Sequence, residues 1–151
     1  MSGLSNHRTV PAEWAPHRVI WTAWPSHADL WQDDLAGARA EFVAMVEALA
    51  PGDNLKVLAC GEEAVRSAQL AIGTLAEIIP ASFGDIWLRD TGPIFATSAG
   101  RAVALRFANN GWGGKYELPG DDTVGDRVAE AAGVEALTFD FVLEGGALEH
   151  N

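Results

Sequence analysis

Hydrophobic and polar positions along this chain form a series of short apolar runs separated by longer amphipathic segments. Apolar runs of four to eight residues bounded by turn residues predict strands. The predicted strands are Val19–Trp24, Leu55–Ala59, Leu75–Ile79, Ile94–Thr97, Ala102–Phe107, Val134–Leu137 and Phe139–Leu143. Residues 98–101 would then form a four-residue hairpin loop.

The amphipathic segments between these runs have the apolar spacing of helices, with capping residues before them and Gly or Pro after them. The predicted helices are one capped by Asp33 or Asp34 and running to about Ala50, one from Gly61 to about Gly73, and one capped by Asp121 or Asp122, running through Ala132 and ended by Gly133. Because strands and helices alternate, the predicted fold class is α/β. The order strand, strand, helix, strand over Ile94–Leu137 agrees with one ββαβ unit.

Composition narrows the classes of function. The 151 residues suit one domain, and 48% hydrophobic content is enough for a core. The net charge of −11 disfavours nucleic-acid binding, which needs a basic surface, and suits a small cationic substrate. No stretch approaches the ~20 apolar residues of a membrane span, and MSGLSNHRTV lacks the apolar run of a secretory signal. We therefore expect a cytoplasmic protein whose residues 1–10 are loosely ordered.

Two acidic segments carry the candidate chemistry. Phe83–Pro93 (FGDIWLRDTGP) and Asp140–Gly146 (DFVLEGG) place Asp90 and Glu144 at the ends of apolar, strand-like runs. Two such carboxylates suit a planar guanidinium, whose N–H donors form a fixed fork. From spacing alone a second interpretation stays open: Asp90 could pair with Arg89 or with turn amides, and Glu144 could be a solvated strand end.

Five motifs occur in an order that resembles a known family. They are PAEWAPH at 11–17, TAWP at 22–25, GDIWLRDTGP at 84–93, NGWGGKY at 110–116 and FVLEGG at 141–146. Together they resemble the agmatine deiminase family, which includes the bacterial-type peptidylarginine deiminases. The resemblance implies a pentein-type α/β propeller of five ββαβ-like units, with residues 1–151 as its N-terminal portion of about two units. It also implies hydrolysis of agmatine to N-carbamoylputrescine and ammonia, a step in putrescine synthesis, through a covalent thiol intermediate and without a cofactor.

The same resemblance assigns the site residues. Asp90 and Glu144 would bind and orient the guanidinium, Trp87 would line the substrate pocket, and Trp112 and Gly145 would contribute to substrate binding. The family's His-x-Asp pair and nucleophilic cysteine lie further along the full-length chain, so the nucleophile is expected to be absent from these residues and the chain alone to be inactive.

Two neighbours of the main candidates are also interpreted. Asp85 is as well suited to a structural or capping role as to a substrate contact. Arg89 is expected to be structural and to pair with a neighbouring carboxylate, because a substrate-facing Arg would repel a cationic guanidine.

Other readings of the chain remain open or are excluded. A deiminase of arginine or peptidyl-arginine is one alternative, and a non-catalytic guanidine-binding fragment is another. Cys60 is the only cysteine, so an intramolecular disulfide is impossible, and we interpret it as structural because no histidine forms a recognisable catalytic signature with it. The scattered histidines predict no metal site, and the loop at 110–116 does not match a phosphate-binding motif. Open strand edges make homo-oligomerisation a further expectation.

Overall fold

A computed structural model of the protein describes residues 8–149. Its strands are β1 (Arg8–Thr9), β2 (Ile20–Ala23), β3 (Leu55–Ala59), β4 (Glu77–Pro80), β5 (Ile94–Ser98), β6 (Arg101–Ala108) and β7 (Glu135–Val142). Its helices are α1 (Leu35–Leu49), α2 (Glu62–Ile72), the single turns α3 (Leu88–Thr91) and α4 (Gly111–Gly114), and α5 (Val124–Ala132), with short 3-10 turns at Ala28–Trp31 and Gly145–Ala147. The α/β class predicted from the sequence is confirmed.

One sheet is parallel, in the order β2-β3-β4, and the helices α1 and α2 connect its strands. Parallel neighbours need such crossovers, because a tight turn cannot return the chain to the same end of the sheet. Leu55, Val57 and Leu58 of the central strand are all buried, as expected for a strand covered on both faces. The core on one side includes Trp24, whose ring lies edge-on to Phe42 with 5.3 Å between centroids.

The second sheet has the order β1-β5-β6-β7. β5 and β6 form an antiparallel hairpin, and β6 pairs in parallel with β7 across the crossover helix α5. Val124 and Val128 of α5 share a core with Leu58, Ile79 and Phe83 from the other sheet and the segment after it. The helix therefore joins the two sheets and lies beside the segment that leads into the GDIWLRDTGP motif. The division of the chain into two ββαβ-like units stays a prediction.

Several strand boundaries differ from those predicted, including that of β4, which begins at Glu77 and not at Leu75. The four-residue hairpin loop is wrong, because Ser98 and Arg101 are themselves paired and only Ala99 and Gly100 form the loop. Both loop residues have positive φ, 49° and 77°, which is the backbone that matches the twist of a two-residue hairpin. The two predicted strands at 134–137 and 139–143 are one continuous strand, β7, which pairs with β6 through a register shift between the pairs Arg106–Thr138 and Ala108–Val142.

The helix ends follow the predicted capping residues at two of three positions. Asp34 caps α1 by accepting the N–H of Gly37 at 3.1 Å, and Gly133, at φ 66°, ends α5 in the left-handed conformation. The prediction that Asp121 or Asp122 caps α5 is wrong. The N-cap is Thr123, without a side-chain cap bond, and the carboxylate of Asp121 is directed to a different segment.

The prediction that residues 1–10 are loosely ordered falls only partly within the described residues. Residues 1–7 lie outside the described residues, whereas Arg8–Thr9 pair antiparallel with Thr97–Ser98. None of the helices described over residues 8–149 has the length and apolar character needed to cross a membrane.

Candidate active site

Asp90 lies in the single helical turn α3, and not at the end of a strand as the sequence predicted. The turn forms because the carbonyl oxygen of Trp87 accepts the N–H groups of Asp90 (2.9 Å) and Thr91 (3.0 Å) and also the Thr91 hydroxyl (3.1 Å). The carboxylate of Asp90 is half-buried, and its Oδ1 accepts the N–H of Gly146 at 2.8 Å. The two acidic motifs, 56 residues apart in sequence, therefore meet directly.

Glu144 follows β7 and is also half-buried. Its Oε1 accepts the backbone N–H of Trp112 at 2.7 Å, so that it ties the Gly/Asn-rich loop to the end of the strand. The arrangement of the two carboxylates is thus similar: each has one oxygen fixed by a peptide N–H from another motif. For residues 8–149 no hydrogen bond is recorded to the second oxygen, Oδ2 of Asp90 or Oε2 of Glu144, which leaves one acceptor on each for a cationic ligand.

Gly145 and Gly146 permit this close approach. A Cβ at Gly145 would overlap the carbonyl oxygen of Arg89 and stand 3.0 Å from Cδ1 of Ile94. A Cβ at Gly146 would overlap Oδ1 of Asp90, the atom that its own N–H contacts. The sequence pattern EGG is therefore a packing requirement of the contact between the two motifs.

Trp87 is 54% exposed and therefore does not belong to the core. Its indole Nε1 donates to Oδ2 of Asp85 at 2.9 Å, and Oδ1 of Asp85 accepts the N–H of Ile86 at 2.7 Å. Both oxygens of Asp85 are thus occupied by its own loop. Of the two roles left open by the sequence, the structure supports the structural one: Asp85 orients the exposed indole.

The loop around Trp112 is built from residues in the left-handed region. Trp112 has φ 55° and ψ 50°, between Gly111 at φ 63° and Gly113 at φ 79°. Positive φ is uncommon for a non-glycine residue, and the bond from its N–H to Glu144 helps to hold it there. Trp112 lies edge-on to Tyr116, with 6.1 Å between the centroids. The loop thus carries a half-buried aromatic residue directly bonded to a candidate carboxylate.

Arg89 is paired with a carboxylate, although not with one near it in the sequence. It forms an ion pair with Glu13 at 2.6 Å and donates to the carbonyl of Leu148 at 3.0 Å. Its partner is in the PAEWAPH motif, which sequence proximity could not indicate. The ion pair links that motif to the acidic ones.

Asp121 is a residue whose place sequence reasoning missed. It is 5% exposed, and its Oδ1 accepts the N–H groups of Gly84 at 2.8 Å and Asp85 at 3.4 Å. Burial raises the pKa of Asp121 above its ordinary value, and the charges of Asp85 and Asp122 act in the same direction, while the two N–H donors oppose it. The sequence shows only an Asp just before a helix, a pattern that predicts a helix cap and does not predict bonds to Gly84 and Asp85.

Cys60 is half-buried and belongs to the periphery of the core around Phe83. Its backbone N–H donates to the hydroxyl of Ser26 at 3.1 Å. Within residues 8–149 no hydrogen bond joins its thiol to a histidine: His17 contacts Asp53 and His27 contacts the carbonyl of Phe83. Nor do those residues contain a group of three or more His, Cys, Asp or Glu side chains suited to holding a metal ion. This geometry agrees with a structural cysteine.

Comparison with known proteins gives the class of the chain. The model of the Porphyromonas-type peptidyl-arginine deiminase family matches residues 9–151, and the chain belongs to that family. An agmatine deiminase of Stutzerimonas stutzeri is 34% identical over 146 residues, 92% of this chain and 40% of the relative. One of Pseudomonas aeruginosa is 33% identical over 147 residues, with the same two coverages.

The structural comparison agrees with the sequence comparison. The structure of an Enterococcus faecalis agmatine deiminase superposes with a TM-score of 0.88 at 25% identity, over 95% of this chain and 41% of that one. The pentein-type α/β assignment is confirmed by this likeness, although residues 8–149 form two sheets and no closed ring. The chain spans about 40% of the length of the curated relatives it matches.

Proposed function

We propose that this chain is the guanidinium-binding part of an agmatine deiminase. The observation that carries the proposal is the pair of half-buried carboxylates, Asp90 and Glu144, each fixed through one oxygen by a peptide N–H of another motif. The names of the sequence relatives and of the superposed structure support agmatine as the substrate. Trp87, Trp112 and Gly145 complete the proposed binding surface.

In the proposed reaction Asp90 and Glu144 accept N–H groups of the guanidinium and keep its positive charge in place. That charge makes the central carbon electrophilic, so the two carboxylates contribute orientation and electrostatic activation together. A cysteine thiolate from the remainder of the site would add to this carbon, and the C–N bond would break with release of ammonia. Water would then break the C–S bond and release the ureido product, N-carbamoylputrescine.

Agmatine is favoured over free arginine by the state of Arg89. An α-carboxylate would need a basic partner, and the cation next to Asp90 is already bound to Glu13 and to the carbonyl of Leu148. The deiminase of arginine or peptidyl-arginine remains the second candidate, because the matching family model carries the peptidyl-arginine name. Competition among agmatine, arginine and an arginine-containing peptide for the same site distinguishes the two.

Agmatine titration followed by calorimetry tests the binding proposal on the chain itself. We expect Asp90→Asn and Glu144→Gln each to weaken binding by about 10- to 100-fold, since a hydrogen bond to a charged group contributes about 1.5–3 kcal/mol. The control is Asp140→Asn, an exposed carboxylate four residues before Glu144 that makes the same change in net charge. Equal affinity of all three variants and the wild type would refute the assignment of the site.

A second assay separates an enzyme part from a non-catalytic binding module. We expect no ureido product from agmatine with the chain alone, and product when it is supplied with the remaining portion of a full-length relative. Binding without product in that mixture would favour the non-catalytic module.

We also propose that copies of this chain associate through the edge strand β7, where Phe141 is 53% exposed. Sedimentation measures this association.

A further inference from the structure

Asp121 is a buried carboxylate that the proposed chemistry does not use. Its Oδ1 accepts two backbone N–H groups, from Gly84 and Asp85. Its Oδ2 is shielded from water and has no hydrogen-bond partner recorded within residues 8–149. A carboxylate in such a place is costly, because burial disfavours its charge and no basic side chain among residues 8–149 forms an ion pair with it. A buried carboxylate with an unpaired oxygen therefore needs a structural or functional explanation.

The segments on either side of this carboxylate are closely packed. A Cβ at Gly84 would overlap Cβ of Leu118 and come within 2.9 Å of Oδ2 of Asp121. Gly120, at φ 98°, is so close to Phe83 that a Cβ there would lie 2.9 Å from its backbone. The loop that precedes α5 thus holds the start of the GDIWLRDTGP motif with little space for adjustment.

Hydrogen bonds connect residues 84 and 85 to the exposed indole of Trp87. The backbone N–H of Asp85 bonds to Asp121, and the carboxylate of Asp85 accepts the indole N–H of Trp87. The carbonyl of Trp87 in turn accepts the N–H of Asp90. A continuous series of hydrogen bonds therefore runs from a buried residue to two residues of the candidate site.

We propose that Asp121 is a positioning residue of the candidate site: by fixing the backbone of Gly84 and Asp85, it holds the Asp85 carboxylate that orients the indole of Trp87. The contact is structural and does not involve the substrate. Its consequence for substrate binding rests on the proposed function, whereas the orientation of Trp87 can be measured without any ligand.

The test is the indole N–H spectrum of the ¹⁵N-labelled chain, which contains six tryptophans. Trp87→Phe identifies the resonance of Trp87. Asp121→Ala removes both acceptor bonds, and Asp121→Asn keeps an acceptor oxygen without its charge. Asp122→Ala is the matched control, because its exposed side chain forms no recorded bond to residues 84 or 85. The indole of Trp24, buried and bonded to Ser67 at 3.0 Å, reports whether each variant keeps its fold.

We expect the Trp87 resonance to move in Asp121→Ala and its exchange with water to become about fivefold faster, the effect of losing one ordinary hydrogen bond. Asp121→Asn should show a smaller change in the same direction and Asp122→Ala none, with Trp24 unchanged throughout.

If Asp121→Ala does not fold, Asp121→Asn decides the matter. A shifted Gly84 amide with an unmoved Trp87 indole would overturn the proposal, because Asp121 would then support the loop without orienting the indole. In an assay of agmatine binding, we expect Asp121→Asn to bind agmatine more weakly than the wild type. If the Trp87 resonance moves but the affinity for agmatine does not change, the result counts against the proposed function and not against the positioning role.

Discussion

Replacement of the two adjacent glycines by alanine should separate binding from stability. At Gly146 the added methyl group would overlap Oδ1 of Asp90, which is the end of a side chain that can rotate away. At Gly145 the methyl group would overlap the carbonyl oxygen of Arg89, a backbone atom in the turn α3, and also approach Ile94 at 3.0 Å. Side chains give way more easily than backbone. The two substitutions should therefore have different consequences.

For Gly146→Ala, rotation of the Asp90 carboxylate breaks its bond to the N–H of residue 146, which is 2.8 Å long in the wild type. The rotated carboxylate would no longer be placed to accept an N–H of the guanidinium. A hydrogen bond to a charged group contributes about 1.5–3 kcal/mol, so agmatine binding should weaken by about 10- to 100-fold. The free energy of unfolding should change by less than about 1 kcal/mol, since the displaced carboxylate is only half-buried. Gly145→Ala should weaken binding as strongly and also lower the free energy of unfolding by about 1–3 kcal/mol, the usual cost of overpacking.

Urea unfolding and agmatine calorimetry measure the two quantities on the same samples. Gly52→Ala is the control, because the nearest atom to its added methyl group would be 3.9 Å away, an ordinary contact. Wild-type affinity in Gly146→Ala would refute the idea that the bond between residues 90 and 146 orients Asp90. Equal losses of stability in both variants would show that the loop cannot yield through the side chain.

Three further outcomes are expected. Because burial raises the pKa of Asp121, its contribution to stability is greatest below its unfolded-state pKa and is lost as pH rises through its folded-state pKa. Asp121→Asn should remove this dependence and be at least as stable as the wild type at pH 7. If urea unfolding from pH 3.5 to 7 gave the wild type and the variant parallel curves of unfolding free energy against pH, this expectation would be contradicted. The bond to Arg39 lowers the pKa of Glu63, so Glu63→Gln should cost at most about 1 kcal/mol at pH 7. This cost should shrink as pH falls through the folded-state pKa, because the stabilisation is then lost, and a cost that does not change with pH would argue against the ion pair. Cys60→Ala should leave ureido-product formation by the complemented chain unchanged, and loss of product in this variant would make Cys60 the nucleophile.

The elements with a strong hydrophobic pattern were predictable from sequence. β3 has the predicted bounds, and α1 begins after the predicted cap, Asp34, because both signals depend on residues close together in the chain. The turn α3 was missed for the opposite reason. The apolar residues after Asp85 predict a strand. In the structure the carboxylate of Asp85 accepts the N–H of Ile86, and the carbonyl oxygen of Trp87 accepts three hydrogen bonds, which favour a turn. Hydrogen bonds of this kind cannot be predicted from the spacing of apolar residues.

The candidate site shows the same division. Asp90, Glu144 and Trp87 were found through motifs, and the bond from the N–H of Gly146 to Asp90 brings the two acidic motifs together. Asp121 could not be found, because an Asp before a helix has the same local pattern whether it caps that helix or reaches a segment 37 residues earlier. Its partner is set by the packing of α5 between the two sheets, which is a property of the assembled fold.

The geometry also shows how the motifs around the two candidate carboxylates depend on one another. Asp90 needs the N–H of Gly146, Glu144 needs that of Trp112, and Arg89 connects the turn after Trp87 to Glu13 near the N-terminus. Four of the five motifs, all but TAWP, therefore supply a donor or a counter-ion to another motif. If the carboxylates bind a guanidinium, a change in any of these supporting contacts should alter the affinity for agmatine while both carboxylates remain in the chain.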